Sequence, residues 1–159
     1  MARARNARAS ALTTANGGDP AAGIERELLY LGRTLEALQR KRRYPLDRSG
    51  FLILRTLSEN GPTTVGHLAK ALLLDNSTMT RQIAALETKR LILRAAQPGD
   101  RRSGTVAATA AGEAMMREML AVRLTRVAGY VSGWTATEQR AFASLLGRLN
   151  GAIAAALAD

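Results

Sequence analysis

Residues Asp75 to Arg90 read DNSTMTRQIAALETKR, and how this stretch is laid out decides the fold. Asp75 and Asn76 both suit a helix N-cap, because a short side-chain oxygen can accept from the otherwise unpaired N–H groups of a first turn. Stepping ~100° per residue from Ser77 to Arg90 brings Met79, Ile83 and Leu86 onto one stripe, which must face a core. The opposite side carries Ser77, Arg81, Ala84 and Thr88, with Thr78 and Ala85 on one shoulder and Thr80 on the other. Small, hydroxylated and cationic residues on an exposed helix face suit the major groove of DNA: they allow close approach, reach phosphates and offer Arg to guanine. An ordinary solvated helix face has the same composition.

The neighbours of this helix sharpen the choice. TVGHLAKALLL precedes it as a short helix with Val65, Leu68, Ala69 and Leu72 facing inwards. Helix, short turn and helix within some thirty residues is the spacing of a helix-turn-helix. Before that, LDRSGFLILRTLSEN places Phe51, Leu54 and Leu57 on one face and stops at Gly61-Pro62. After it, LILRAA and TVAATA read as two short strands around QPGDRRSG, residues 97–104, where Pro98 and Gly99 favour a turn. Arg101 and Arg102 then fall at the tip of a hairpin, which suits arginine insertion into the negative potential of a minor groove. Asp100 is placed to hold one of these arginines by a charge-assisted hydrogen bond.

The whole chain agrees with a polyanion-binding protein. Its 159 residues carry a formal net charge of +10, which attracts nucleic acid or anionic lipid. Scarce aromatics and abundant Ala and Leu favour helices. The absence of cysteine excludes disulfides and thiolate metal sites, and a single histidine, His67, excludes a multi-histidine metal site. His67 itself reads as a helix residue rather than a pH sensor, since nothing nearby in sequence pairs with it. No apolar run approaches the ~20 residues that span a bilayer, and there is no secretory signal, so no membrane partner is expected and the default compartment is the cytoplasm. No Gly-rich phosphate loop, metal cluster or nucleophile–base set suggests an enzyme, and no cofactor is expected.

Four parts follow along the chain. Residues 1–20, arginine-rich and without periodic apolar pattern, read as a disordered basic arm, although that composition also resembles a transit peptide. Residues 21–45 form a helix with Ile24, Leu28, Leu31, Leu35 and Leu38 on one seam, closed by Arg40-Lys41-Arg42-Arg43 and Pro45. Residues 46–109 make the winged lobe. Residues 110–159 make two further helices, the first capped by Thr109 and running from about Ala110 to Ser132, with Met115, Met119, Val122, Val127 and Tyr130 among its apolar residues. The second opens on a Thr135/Glu138 capping box and carries Phe142, Leu145, Leu146, Leu149, Ile153 and Leu157 at helical spacing.

From about Leu46 to Gly112 the chain resembles the MarR family of bacterial winged helix-turn-helix regulators. The likeness rests on LDRSGFLILRTLSENGPTTVGHLAKAL, LDNSTMTRQIAALETKRLILR, the wing GDRRS and the exit TAAG, in that order. The resemblance implies a mainly α fold with a small β-hairpin wing, and a homodimer built from the first helix and the last two. Ile24, Leu28, Leu31 and Leu35 on one helix and Phe142, Leu145, Leu149 and Ile153 on another are the expected interface. It further implies a repressor acting on double-stranded DNA at an inverted repeat, since two-fold protein symmetry asks for two-fold DNA symmetry. Many members respond to a small aromatic or phenolic effector. The competing reading is a weakly specific basic protein that coats DNA.

The expected DNA-binding residues are Ser77, Thr78, Thr80, Arg81 and Gln82 on the recognition helix, Arg94 on the first strand, and Arg101 and Arg102 on the wing. Arg81 is the candidate for a base edge, Thr80 and Gln82 for phosphate, and Arg94 equally suits an exposed salt bridge. Thr63 and Thr64 are expected to cap a helix or bind phosphate. The chain departs from the family at Leu73 and Arg90, where glycine is usual; glycine suits a left-handed helix end, so Arg90 implies a different end or a strained one. Gly104 and Ala108 are small for their strand positions, which predicts a looser wing.

Overall fold

The computed structural model describes residues 19–41, 44–97 and 100–157, with backbone only for 96–97 and 100–103. The described residues form six helices and a three-stranded antiparallel sheet of order β1-β3-β2. Among the described residues, those up to Pro45 form one unit and those from Leu46 onward a second.

Helix α1, Pro20–Lys41, starts with proline at a position where its missing N–H costs nothing. Asp19 accepts from Ala21 N at 2.9 Å to cap it. The helix therefore begins within the segment assigned from composition to the arm. No residue of α1 is buried within its own unit, and Ile24, Leu28, Leu31 and Leu35 are all exposed.

Helix α2, Arg48–Asn60, is capped by Asp47, whose Oδ1 accepts from Gly50 N at 2.7 Å. It ends at Gly61, whose φ of 76° and extended ψ are open to glycine alone. Phe51, Leu54 and Leu57 are buried as the periodicity requires, and Ile53 joins them because α2 is covered on more than one side. Strand β1 is only Thr63–Thr64 and pairs with Val106 and Thr105. Thr64 Oγ1 also accepts from His67 N at 3.2 Å, which makes it the cap of α3, Val65–Ala71. Leu68 and Ala69 are buried in α3, whereas Val65 and Leu72 are half-buried.

Helix α4, Asn76–Thr88, buries Met79, Ile83 and Leu86, the stripe read from its sequence. Both helices of the motif end in the same way. Leu73 N bonds Lys70 O and Leu74 N bonds Ala69 O; one motif later, Arg90 N bonds Glu87 O and Leu91 N bonds Leu86 O. This crossed pair of bonds is the Schellman ending, which needs a left-handed residue at its first non-helical position. Leu73 at φ 54° and Arg90 at φ 57° supply it. The missing glycines therefore leave the helix ends in place and load them with strain, about 1–2 kcal/mol per non-glycine residue.

Strands β2, Ile92–Gln97, and β3, Asp100–Ala108, form the wing, in register from Ile92↔Ala108 to Gln97↔Asp100. The register slips between Ala95 and Gln97, and a side chain at Gly104 would meet Ala95 O at 3.2 Å. The small residue there admits the closely approaching carbonyl of the irregular strand. Helix α5, Ala110–Tyr130, is capped by Thr109 and buries Met116 and Met119. Met115 is half-buried, while Val122, Val127 and Tyr130 lie exposed towards its far end. Helix α6, Ala136–Ala156, opens on the Thr135–Glu138 capping box, with Trp134 edge-on to Phe142 at 5.3 Å. No residue of α6 is buried.

The lobe is closed where α4 leaves and α5 enters. Thr109 N donates to Leu91 O at 3.0 Å, and Thr109 Oγ1 donates to Arg90 O at 2.9 Å while accepting from Gly112 N. Gly112 lies so close that a Cβ there would stand 2.0 Å from Leu91 O, a backbone atom that cannot swing aside. Ser58 Oγ donating to Glu113 at 2.9 Å and Arg123 stacked 4.6 Å over Phe51 bind α5 to α2.

Two substitutions test this frame by denaturant unfolding. Gly112→Ala is expected to destabilise the protein by at least ~2 kcal/mol, since overpacking against backbone has no relief. Arg90→Gly is expected to stabilise it by about 0.5–1 kcal/mol, the relieved left-handed strain less the added chain entropy of glycine.

Candidate nucleic-acid interface

The start of α4 is organised around one carboxylate. Asp75 Oδ1 accepts from Thr78 N at 2.7 Å and from the Ser77 hydroxyl, and its Oδ2 accepts from the Thr78 hydroxyl at 2.7 Å. The Ser77 hydroxyl, then the Thr78 N–H and hydroxyl, hold the Asp75 carboxyl far below the usual carboxylate range. Asp75 is fully exposed, so water is a competing partner and the effect on stability is modest.

Along the same helix Ser77, Thr80 and Arg81 are exposed and Thr78 and Gln82 half-buried, so all five expected residues lie outside the core. Ala84 and Ala85 are exposed and small, leaving room for a surface to approach. Arg81 Nη2 donates to Thr78 Oγ1 at 3.3 Å. Thr80 and Thr88 turn their hydroxyls back onto Asn76 O and Ala84 O, at 2.8 and 2.9 Å. Their hydrogens are spent on the helix itself, a local bond that competes with outside partners.

On the wing, Arg94 Nε forms an ion pair with Glu87 Oε2 at 3.0 Å, tying β2 to α4. It is the exposed salt bridge that its strand position allowed. Arg101 and Arg102 are the second and third residues of β3, in the irregular stretch between the Gln97↔Asp100 and Ala95↔Thr105 pairs. The side chains of Asp100, Arg101 and Arg102 lie outside the described residues, as do Pro98 and Gly99. The hold of Asp100 on a wing arginine falls there too.

On α6, Phe142, Leu145 and Ile153 are exposed and Leu149 half-buried. Among the described residues no cluster of His, Cys, Asp and Glu could hold a metal ion, and no helix is long and apolar enough to cross a membrane. His67 sits exposed on α3. The sequence marked Asp75 only as a cap; the hydroxyl bonds it collects depend on side-chain rotamers that spacing alone does not set.

Acid titration checks the cap. A carboxyl whose pKa is lowered by folding stabilises the fold above its unfolded value and loses that effect as pH falls through the folded one. Asp75→Ala is expected to lower Tm by a constant amount above roughly pH 5, with the gap to wild type closing as pH drops below 3.8, the ordinary value for Asp75.

A MarR family model matches residues 46–103. Over 134 residues the chain is 38% identical to YxaD, an HTH-type transcriptional regulator of Bacillus subtilis strain 168, covering 83% of this chain and 94% of that one. A solved MarR family protein from Bacillus stearothermophilus is similar with a TM-score of 0.70 at 25% identity, over 84% of this chain and 94% of that chain. BpsR of Bordetella bronchiseptica, whose DNA binding is regulated by 6-hydroxynicotinic acid, shares the fold with a TM-score of 0.67 at 22% identity, over 83% of this chain and 99% of that one. Identity at the level of YxaD, spread over nearly a whole helix-turn-helix regulator, carries more than fold, and the chain belongs to the MarR family of DNA-binding transcriptional regulators.

Proposed function

We propose that the protein is a homodimeric repressor that binds an inverted repeat and is released by a small aromatic or phenolic ligand. The observation that carries it is the division of the surface. The capped face of α4 is polar and cationic, whereas α1 and α6 bury nothing and display apolar seams. Exposed leucines, isoleucines and a phenylalanine at helical spacing are surfaces that a second chain would cover. A two-fold dimer presents two copies of α4, one to each half-site. In this reading Ser77, Thr78, Thr80, Arg81 and Gln82 face the major groove, and Arg101 and Arg102 reach the minor groove beside it. Arg94, held by Glu87, borders the phosphates. Ile24, Leu28, Leu31 and Leu35 with Phe142, Leu145, Leu149 and Ile153 form the dimer seam.

The ligand is supported by the likeness to BpsR, whose DNA binding responds to 6-hydroxynicotinic acid. That compound is an aromatic anion, the class of effector assigned here.

The double substitution Arg101→Ala with Arg102→Ala tests the wing. Operator affinity is expected to fall at least ~10-fold, with a shallower dependence on salt, because the lost cations no longer release counterions. Tm should be unchanged. Retained affinity would contradict the wing assignment. Sedimentation of the unmodified protein with an inverted-repeat duplex should give one dimer per repeat; a monomer on each half-site alone, or no dimer without DNA, would contradict the seam.

A further inference from the structure

Asp75 collects more bonds than a helix cap needs. One bond from the N–H of the second or third residue suffices for capping, and Thr78 N supplies it at 2.7 Å. The same carboxylate also takes the hydrogens of two hydroxyls, Ser77 on Oδ1 and Thr78 on Oδ2. A hydroxyl has one hydrogen and two lone pairs, so Ser77 and Thr78 are left with acceptor capacity alone. Thr80 has spent its hydrogen on Asn76 O. The three hydroxyls at the start of α4 thus keep only acceptor capacity, part of it on Thr78 already taken by Arg81.

Polarity of this kind selects partners. Phosphate oxygens, guanine O6 and thymine O4 only accept, and gain nothing from a hydroxyl without a free hydrogen. The exocyclic amines of adenine and cytosine donate into the major groove and match it. Arg81, held through Nη2 by the Thr78 oxygen at 3.3 Å, keeps its other N–H groups for a base acceptor.

We propose that Asp75 determines specificity without touching DNA: its carboxylate fixes Ser77 and Thr78 as acceptors for base amino groups and, through Thr78, aims Arg81. This rests on the reading of α4 as the helix that meets DNA. The carboxylate stays ionised throughout the physiological range, because its hydroxyl and N–H donors hold its pKa far down. Its negative charge also opposes the phosphates, so it weakens binding to duplex of any sequence. Capping and reading can therefore be separated. Asparagine caps a helix about as well as aspartate, but it is neutral: its oxygen keeps the bonds from Thr78 N and the Ser77 hydroxyl, while its amide nitrogen takes the place of Oδ2, donates to the Thr78 hydroxyl and frees that hydrogen.

The full chain is used to enrich duplexes from a randomised pool, and the enriched and unselected duplexes serve as specific and non-specific probes. For Asp75→Asn an unchanged Tm is expected, with non-specific affinity equal or higher. The ratio of specific to non-specific affinity should fall about 10-fold, the size of one good base contact. Re-selection with this variant should lose preference at the adenine or cytosine positions and keep it elsewhere. Thr78→Val should lose the same preference, and Thr78→Ser, which keeps the hydroxyl, should restore it. A ratio within about twofold of wild type, set against that expected loss, would show Asp75 to be a cap only. A wild-type chain that enriches nothing would instead overturn the DNA-reading role of α4, and the proposal with it.

Discussion

Two carbonyl oxygens, those of Arg90 and Leu91, tie the end of α4 to the start of α5. Thr109 donates its hydroxyl to one and its N–H to the other, and Gly112 removes the side chain that would push the Leu91 carbonyl away. The end of α4 is thereby locked to the beginning of α5, with the wing hairpin leaving and returning between them. Every other placement follows from that lock. The exposed face of α4 is set by burial of Met79, Ile83 and Leu86 below it, and the hairpin emerges beside that face because its two ends are pinned within one short cluster of bonds. A shift of α5 must be felt at α4 through backbone, which is stiffer than any side-chain relay.

The two left-handed residues show how far such a frame overrides local preference. Leu73 and Arg90 hold conformations that glycine adopts freely, yet the crossed hydrogen bonds of both helix ends are complete. Burial of Leu86 and Leu91 on either side of Arg90 supplies the hydrophobic contact that usually accompanies this ending. Strain is tolerated where packing over-determines the backbone. The two strained positions bracket α4, at the turn that precedes it and at its exit.

Much of this was legible in the residues. Thr64, Asp75, Thr109 and Thr135 cap their helices because each is a short polar side chain before an apolar period, and local chemistry suffices to place them. The buried stripe of α4 follows from helical geometry alone. Other features depend on partners distant in sequence. A two-residue strand at Thr63 has no periodicity to detect and exists only because Val106 and Thr105 lie opposite. Burial of Ile53 needs α2 to be covered on a second side. The longer β3, which includes Arg101 and Arg102, comes with a register slip at Ala95 to Gln97 that no spacing announces. Of the candidate site, residue types and exposure on α4 could be read, but the hydrogens committed to Asp75 and Asn76 could not.

The proposed function assigns attraction and reading to the cationic and hydroxyl groups of α4 and the wing, and assigns a second chain to the exposed apolar residues of α1 and of α6; the clamp at Thr109 joins the start of α5 to the end of α4. The most direct measurement is the affinity of the unmodified protein for an inverted-repeat duplex, enriched from fragments of its own gene neighbourhood, against random duplex at near-physiological salt. A sequence-specific regulator should prefer the repeat by ~10³ or more, at one dimer per repeat. Equal affinity for both duplexes, with the same salt dependence, would contradict sequence reading by α4 and leave a protein that merely coats DNA.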